Sequence, residues 1–273
     1  MSGILNIDGI DVQVTYGVYL LEGYCSEVLR YPSLKQPEIN DWHEEDGIEV
    51  DLVNPTLEAK ELSLSFFAKS KSGMHDFIGI LTTGSVHQFS FTELGVTLSL
   101  RVSGVANTSI VGQTINFELQ LSEDLPGKDY IYLAPTSSAQ DEGYKIDALN
   151  IAKYGLIFLQ GTQAAIAKPA APKQNLTVNL KGKSGVSYDG ATVKLQSKEI
   201  AIPCLMRAST GSQFIINYKA LLYDLIRSGA RSLTVLGADR VLPFYYKSSN
   251  VDYIDLTAGG WCKFSLTIVI IKP

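Results

Sequence analysis

The sequence predicts a mainly β protein made of two tandem, similar domains, each a β-sandwich or partly open barrel with one helix. The first observation behind this prediction is composition, because 14 Tyr and 10 Phe in a chain of 273 residues favour strands over helices. The second is a series of segments in which apolar residues occupy every second position, as in strands of a sheet with one face exposed to solvent. The third is that the chain resembles itself when it is shifted by about half its length.

The internal repeat is clearest at an offset of 138 positions, which is the difference between Tyr16 and Tyr154. Residues 16–23 and 154–161 share Tyr, Gly, Leu and Gly at the same places. The same offset pairs three further positions without a gap: Lys35 with Lys173, Gly47 with Gly185, and Leu57 with Leu195. Insertions then lengthen the offset. A period of this size is a whole domain. It predicts a first domain at residues 1–126, a linker at 127–147 and a second domain at 148–273.

Each copy is expected to contain several strands, one central helix and then more strands. In the first copy, residues 11–16, 48–52 and 61–67 alternate and predict strands. Residues 73–82 carry apolar side chains at i, i+3, i+4 and i+7, which predicts a helix that ends at Gly84. The helical stripe of the second copy consists of Phe214, Tyr218, Leu221, Leu222 and Leu225.

Open β domains expose strand edges, which proteins normally protect from pairing with other chains. A closed ring would pair such edges between subunits. The residues that we expect in inter-subunit strands are Ile48, Val50, Leu52, Leu62, Leu64, Phe66, Ile200 and Ile202.

The sequence offers no recognisable catalytic or cofactor-binding motif. It has three histidines, His43, His75 and His87, and no GxSxG, P-loop or GxGxxG motif. Its three cysteines are widely spaced without a CxxC motif, which argues against a disulfide framework and a zinc site. We therefore predict no catalytic residue and no cofactor, although an enzyme of unfamiliar type stays open as an alternative.

The stretch His-Glu-Glu-Asp at residues 43–46 contains side chains that can bind metals. Consecutive residues point in different directions, however, and the second copy has Lys-Gly-Lys-Ser at the corresponding place. A solvated acidic loop is the better interpretation, and we predict no metal site.

The charge and hydropathy of the chain disfavour two classes of partner. A formal net charge of -5 and a pI near 5.3 argue against tight nucleic-acid binding, which needs a basic face. No apolar run approaches the ~20 residues of a membrane helix, and residues 1–12 do not look like a signal peptide.

Two stretches of the first copy resemble the N-terminal domain of phage distal tail proteins. Residues 46–52 form an Asp-Gly turn that leads into a strand, and residues 57–68 continue with a second strand of alternating apolar residues. Residues 7–11 are similar to the opening strand of that family. Tail-tube subunits and baseplate hub proteins have a similar layout. Distal tail proteins often carry a different C-terminal domain, whereas here the second half resembles the first, as in hub proteins with two tube-like domains.

The resemblance implies a non-catalytic, ring-forming component of a phage or prophage-type tail or baseplate. It implies a homo-oligomer, either a trimer that forms a pseudo-sixfold ring or a hexamer, which contacts other tail and baseplate proteins. DNA would pass through its lumen only as cargo, and no membrane would be involved. The protein would be located in the virion tail and, during assembly, in the cytoplasm of the bacterial host.

An alternative function is a pair of carbohydrate- or surface-binding β-sandwich modules. Trp42, Trp261 and exposed tyrosines could line a groove and stack on sugar rings. Aromatic residues at strand spacing more often belong to a core or an interface, which favours the structural interpretation.

Overall fold

The computed structural model describes residues 3–128, 130–140, 143–174, 177–188, 190, 193–235, 240–257 and 259–273. Within these ranges the strands form two seven-stranded sheets, one in each half of the chain, and two small two-stranded hairpins. The prediction of a mainly β protein with two similar tandem domains is therefore confirmed. We call the half before residue 129 domain 1 and the half after it domain 2.

Domain 1 begins with short strands and helices and ends with a long hairpin. Its elements, in chain order, are β1 (Leu5–Ile7), β2 (Ile10–Asp11), α1 (Val12–Tyr16), β3 (Val18–Leu20), α2 (Tyr24–Leu29), β4 (Ile39–Asn40), β5 (Glu49–Val50), β6 (Lys60–Ala68), α3 (Lys71–Leu81), β7 (His87–Phe91), β8 (Val96–Val111) and β9 (Thr114–Glu123).

Domain 2 repeats this order, with a 3-10 helix at Ile151–Tyr154 in the place of α1. Its other elements are β10 (Tyr144–Ile146), β11 (Leu149–Asn150), β12 (Leu156–Phe158), α4 (Thr162–Ala167), β13 (Thr177–Val178), β14 (Ser187–Tyr188), β15 (Lys198–Ala208), α5 (Gly211–Leu225), β16 (Arg231–Val235), β17 (Arg240–Asp255) and β18 (Gly260–Ile270).

The two large sheets have the same topology. The strand order is β2-β1-β7-β8-β9-β6-β3 in domain 1 and β11-β10-β16-β17-β18-β15-β12 in domain 2. Each strand of domain 2 thus takes the place of the strand nine labels earlier in domain 1. All pairings between neighbours are antiparallel.

The strand registers show which residues of the two domains are equivalent. Val18 pairs with Ala68, and Leu156 pairs with Met206, so the offset of 138 holds up to the central helix. His87 pairs with Leu100, and Arg231 pairs with Phe244, so the offset is 144 in the first two strands beyond it. Much of this increase is in the helix itself, since α3 has 11 residues and α5 has 15.

The central helix of each domain packs on the apolar side of its sheet. In domain 1, Phe77 of α3 contacts Phe66 and Phe117, with ring centroids 5.5 and 6.2 Å apart. In domain 2, Tyr218 of α5 packs edge-on against Phe264 at 5.6 Å. The predicted helices at 73–82 and around residues 214–225 are present, and Ser70 and Thr210 cap their first turns.

One predicted strand is wrong, because residues 12–16 form the short helix α1. The side chain of Asp11 accepts a hydrogen bond from Val14 N at 3.0 Å, and Gly17 ends the helix with a φ of 64°. A side-chain cap and a left-handed glycine together favour one turn of helix over a strand. The short helices α2 and α4 also lie outside the prediction of a single helix in each domain.

The segment that joins the two sheets lies along α5. The predicted linker at 127–147 includes β10, and its residues 129, 141 and 142 lie outside the described residues. Thr136 N donates to the side-chain oxygen of Asn217 at 3.0 Å, and Tyr132 Oη donates to Asp224 at 3.1 Å. These bonds attach the connection to the helix of domain 2.

Candidate functional site

Five of the residues expected in inter-subunit strands lie in the core. Leu62, Leu64 and Phe66 project inward from β6, which lies between β9 and β3. Ile200 and Ile202 project inward from β15, which lies between β18 and β12. Their side chains stabilise the core of their own domain and do not lie at its surface. Any pairing between subunits at these positions stays a prediction that concerns the strand backbones.

Ile48, Val50 and Leu52 belong to a long excursion that we call arm 1, residues 30–59. Arm 1 leaves domain 1 after α2, forms the small β4–β5 hairpin and crosses the surface of domain 2. Ile48 and Leu52 are buried there, with 8% and 5% of their surface exposed. The structure therefore places these residues at an interface, but the interface joins the two domains of one chain.

Backbone hydrogen bonds hold the tip of arm 1 on domain 2. Gly47 N donates to Leu195 O at 2.7 Å, and Ile48 N donates to Ile271 O at 3.1 Å. The side chain of Asp46 accepts from Leu195 N at 2.8 Å. Gly47 has a φ of 73°, and a Cβ there would lie 1.9 Å from the Ile271 carbonyl oxygen. This close approach requires glycine.

Lys173 of domain 2 binds the arm 1 tip through its side chain. Its buried ammonium donates to the carbonyl oxygens of Trp42 and Gly47, each at 2.6 Å, and lies 2.5 Å from a carboxylate oxygen of Asp41. Three oxygens from arm 1 thus satisfy the three N–H groups of one lysine, as burial of an ammonium demands.

Tyr31 anchors the base of arm 1 in the core of domain 2. Its ring lies 4.2 Å from that of Tyr218 and 6.3 Å from that of Phe264. Its hydroxyl donates to Tyr218 O, and Tyr246 Oη donates to Pro32 O at 3.0 Å. A large aromatic residue from one domain is therefore part of the hydrophobic core of the other.

The equivalent excursion of domain 2 is arm 2, residues 168–197, whose base supplies Lys173 and Leu195 to the arm 1 tip. The tip of arm 2 itself makes no equivalent contact in the described part of the chain. Its hairpin is β13–β14, and its residues 175, 176, 189, 191 and 192 lie outside the described residues. Val186, the equivalent of Ile48, is 60% exposed, and Tyr188, the equivalent of Val50, is 57% exposed. The same element is thus docked in one domain and undocked in the other.

A cleft of about 510 Å3 lies where the two domains meet. Three of the charged side chains that line it, Lys60, Glu123 and Lys219, have shifted pKa values. Burial lowers the pKa of Lys60 to about 8 and also lowers that of Lys219, while burial raises the pKa of Glu123. Lys60 Nζ donates to Val28 O at the end of α2. Lys198, its equivalent in domain 2, donates to Ile166 O at the end of α4, so this lysine has a structural role in both repeats.

We expect the burial of Lys60 to appear in the pH dependence of stability. The unfolded lysine stays protonated up to about pH 10.5, so the unfolded state binds more protons than the folded state between pH 8 and 10.5. The free energy of unfolding should therefore rise across this window, by up to about 3 kcal/mol. Lys60→Met should lack this rise. Urea titrations of both proteins at several pH values check it, and parallel pH profiles would contradict it.

The histidines have no catalytic arrangement in the described structure. His43 and His75 are exposed, and His87 Nδ1 lies 2.6 Å from a carboxylate oxygen of Asp8. A hydrogen bond from Gln88 N and the contact with His87 lower the pKa of Asp8. Arg231 and Asp147, at 2.9 Å, form the equivalent pair in domain 2. In both repeats the pair links the turn after the first strand to the start of β7 or β16.

The two tryptophans lie on different elements. Trp42 is in arm 1, where its Nε1 donates to Glu49 at 2.9 Å. Trp261 is on β18 and packs against Tyr253, with ring centroids 4.7 Å apart. Both rings of the Tyr253–Trp261 pair are partly exposed. The acidic stretch at 43–46 lies at the tip of arm 1, where Glu45 is 3.9 Å from Lys272.

Sequence reasoning did not identify Tyr31 or Lys173 as interface residues. The repeat alignment contained a signal for the second, since Lys35 and Lys173 occupy equivalent positions. It contained none for Tyr31, whose equivalent is Pro169.

No helix among the described residues has the length and apolar character needed to cross a bilayer. No protein-family model and no curated protein matches the chain. Among solved structures, the chain is similar to the Dit (gp 19.1) protein of SPP1, described as a paradigm of the hub adsorption apparatus in Gram-positive infecting phages. The identity is 11%, the coverage is 97% of this chain and 96% of that chain, and the TM-score is 0.31.

The chain is also similar to the PlzA protein of Borreliella burgdorferi in complex with c-di-GMP. This identity is 8%, the coverage is 96% of this chain and 92% of that chain, and the TM-score is 0.19. At these TM-scores neither likeness assigns a family or a function to this chain.

Proposed function

We propose that this chain is a non-catalytic, ring-forming structural component of a phage or prophage-type tail or baseplate, a distal tail or hub protein. The observation that carries the proposal is the contrast between the arms. The tip of arm 1 is docked on the neighbouring domain, whereas the tip of arm 2 presents the same type of surface without a neighbour among the described residues.

The contact between the two domains is heterologous, because domain 1 contributes its arm and domain 2 contributes the receiving surface. A heterologous contact that repeats between chains generates a ring when the rotation closes. Two domains in each chain then allow a trimer with six domains around one axis, or a hexamer. The proposed domain division at residues 1–126 and 148–273 supplies one ring unit on each side of the connection.

The assignment to a tail rests on the resemblance of residues 46–52 and 57–68 to distal tail proteins. The net charge of -5 suits a ring through which DNA passes without adhering. We propose other tail and baseplate proteins as partners, and the virion tail as the final location after assembly in the host cytoplasm.

The protein should assemble in solution as its concentration rises. We expect size-exclusion chromatography with light scattering to show a trimer or a hexamer, and electron microscopy to show rings with a central hole. A strict monomer at every accessible concentration, or an open fibre, would contradict the proposal.

A surface-binding function is the second candidate, and the partly exposed Tyr253–Trp261 pair favours it. Aromatic rings of this type stack on sugars. Quenching of Trp261 fluorescence by a glycan, lost in Tyr253→Ala, would support this function. The absence of quenching across a glycan panel would remove it.

A further inference from the structure

We infer that arm 2 docks on domain 1 of a second copy of this chain, and that Lys35 of that copy binds the arm 2 tip. The inference rests on the proposed ring and names its contact. It starts from the contact that the chain already makes within itself, because both arms and both receiving surfaces have equivalent positions.

The arm 2 tip has the shape that docking requires. Gly185 has a φ of 83°, close to the 73° of its equivalent Gly47, and its Cβ position faces open space. The exposed side chain of Val186 replaces Ile48. No contact among the described residues explains the positive φ of Gly185 or the exposure of Val186.

Lys35 is the equivalent of Lys173 in domain 1. Lys35 is exposed, and its ammonium has no acceptor among the described residues. In the docked arrangement it would meet the carbonyl oxygens of Leu180 and Gly185, the equivalents of Trp42 and Gly47. Asn179 replaces Asp41 and offers a side-chain oxygen as the third acceptor.

The backbone acceptors for arm 2 are also free in domain 1. The strand registers make Leu57 equivalent to Leu195, and Asp124 equivalent to Ile271. None of the described residues donates to Leu57 O or to Asp124 O. Gly185 N and Val186 N would donate to them, as Gly47 N and Ile48 N donate within the chain.

The face of domain 1 that carries Lys60 is covered, and the equivalent face of domain 2, which carries Lys198, is less covered. Lys60 is 5% exposed because domain 2 covers it. Lys198, its equivalent, is only partly buried, so the same face of domain 2 has no cover within the chain. A second copy of domain 1 has the shape to provide that cover.

The charges of the two tips differ in sign. The arm 1 tip carries Glu44, Glu45 and Asp46, and the end of β18 beside it continues into Lys272, 3.9 Å from Glu45. The arm 2 tip carries Lys181 and Lys183, and the corresponding end of β9 carries Asp124, whose carboxylate already pairs with Arg101 at 2.8 Å. The acidic tip is therefore complementary to its receiving surface, whereas the contact of the arm 2 tip depends on its backbone hydrogen bonds and on Lys35.

Arm 2 lacks two contacts of arm 1. Pro169 replaces the aromatic anchor Tyr31, and Pro172 has no N–H to replace that of Leu34, which donates to Lys247 O at 2.9 Å. The contact between chains should therefore be weaker than the contact within the chain, and assembly should be reversible.

Sedimentation of the full chain over a range of concentrations tests the inference. Lys35→Ala should weaken assembly roughly tenfold, because it removes the hydrogen bonds of one charged group. Val186→Asp should weaken it at least as much. Two matched controls should assemble as the unchanged protein does. Lys153→Ala removes an exposed lysine elsewhere. Val178→Asp alters arm 2 at a position whose equivalent, Asn40, stays exposed when arm 1 docks.

The outcomes separate this inference from the proposed function. If the unchanged protein assembles and both Lys35→Ala and Val186→Asp assemble equally well, the arm 2 contact is overturned but the proposed ring is not. A monomeric unchanged protein overturns both. Since both substitutions are at exposed positions, circular dichroism and the unfolding midpoint, measured at a concentration where the chain is monomeric, should stay unchanged and confirm that the variants fold.

Discussion

Tyr31→Ala should destabilise the protein by about 3 to 5 kcal/mol, the usual loss when a fully buried aromatic side chain is truncated. Tyr31 belongs to domain 1 by sequence, but it fills the core of domain 2 between Tyr218 and Phe264. Its loss leaves a cavity and removes the anchor at the base of arm 1. Urea unfolding followed by circular dichroism measures the effect.

Two controls make the Tyr31 result specific. Tyr31→Phe keeps the ring and loses only the hydroxyl that donates to Tyr218 O, so it should cost about 1 kcal/mol. Pro169→Ala, at the equivalent and exposed position of domain 2, should change the unfolding free energy by less than about 0.5 kcal/mol. Equal effects of Tyr31→Ala and Pro169→Ala would show that arm 1 is not docked as described.

Gly47→Ala should destabilise the chain by about 3 to 4 kcal/mol. A left-handed backbone costs an alanine about 1 to 2 kcal/mol. The new Cβ would also lie 1.9 Å from the Ile271 carbonyl oxygen, so the arm tip must move away. The hydrogen bonds of Gly47 N and Ile48 N are then lost, at about 1 kcal/mol each.

Gly185→Ala is the matched control for Gly47→Ala, because it carries the same positive φ without a neighbour within 4 Å. Measured at a concentration where the chain is monomeric, it should cost only the backbone term of about 1 to 2 kcal/mol. Amide hydrogen exchange should in addition be faster at residues 47 and 48 in Gly47→Ala alone. If the two alanine variants unfold at the same urea concentration, the close approach to Ile271 is incorrect.

The sequence was sufficient to predict the class of the fold. The alternation at residues 61–67 and the helical spacing at 73–82 are long enough to distinguish the two periods, and the offset of 138 extends the interpretation to domain 2. The helical conformation of residues 12–16 could not be predicted from the spacing of apolar residues. Five residues with alternating apolar side chains fit a strand and a single helical turn equally, and the Asp11 cap decides between them.

The interface between the two domains was not predicted, and the expected contacts between subunits stay a prediction. Ile48, Val50 and Leu52 were expected between subunits, and the structure places them between domains of one chain. An apolar strand edge in the sequence does not reveal whether its partner is in the same chain. Lys173 was missed for a different reason, since a buried ammonium and an exposed one look identical until the three oxygens around it are in place.

The opposite charges of the two arm tips have a consequence for the order of domains in a closed assembly. Glu45 of the acidic tip lies 3.9 Å from Lys272 of its receptor, whereas the arm 2 tip carries Lys181 and Lys183. An arm 2 tip that reached the domain 2 receptor of another chain would bring its lysines close to Lys272, and like charges would oppose that contact. Domain 2 of one chain would then be followed by domain 1 of the next, in a circle of three chains as in one of six.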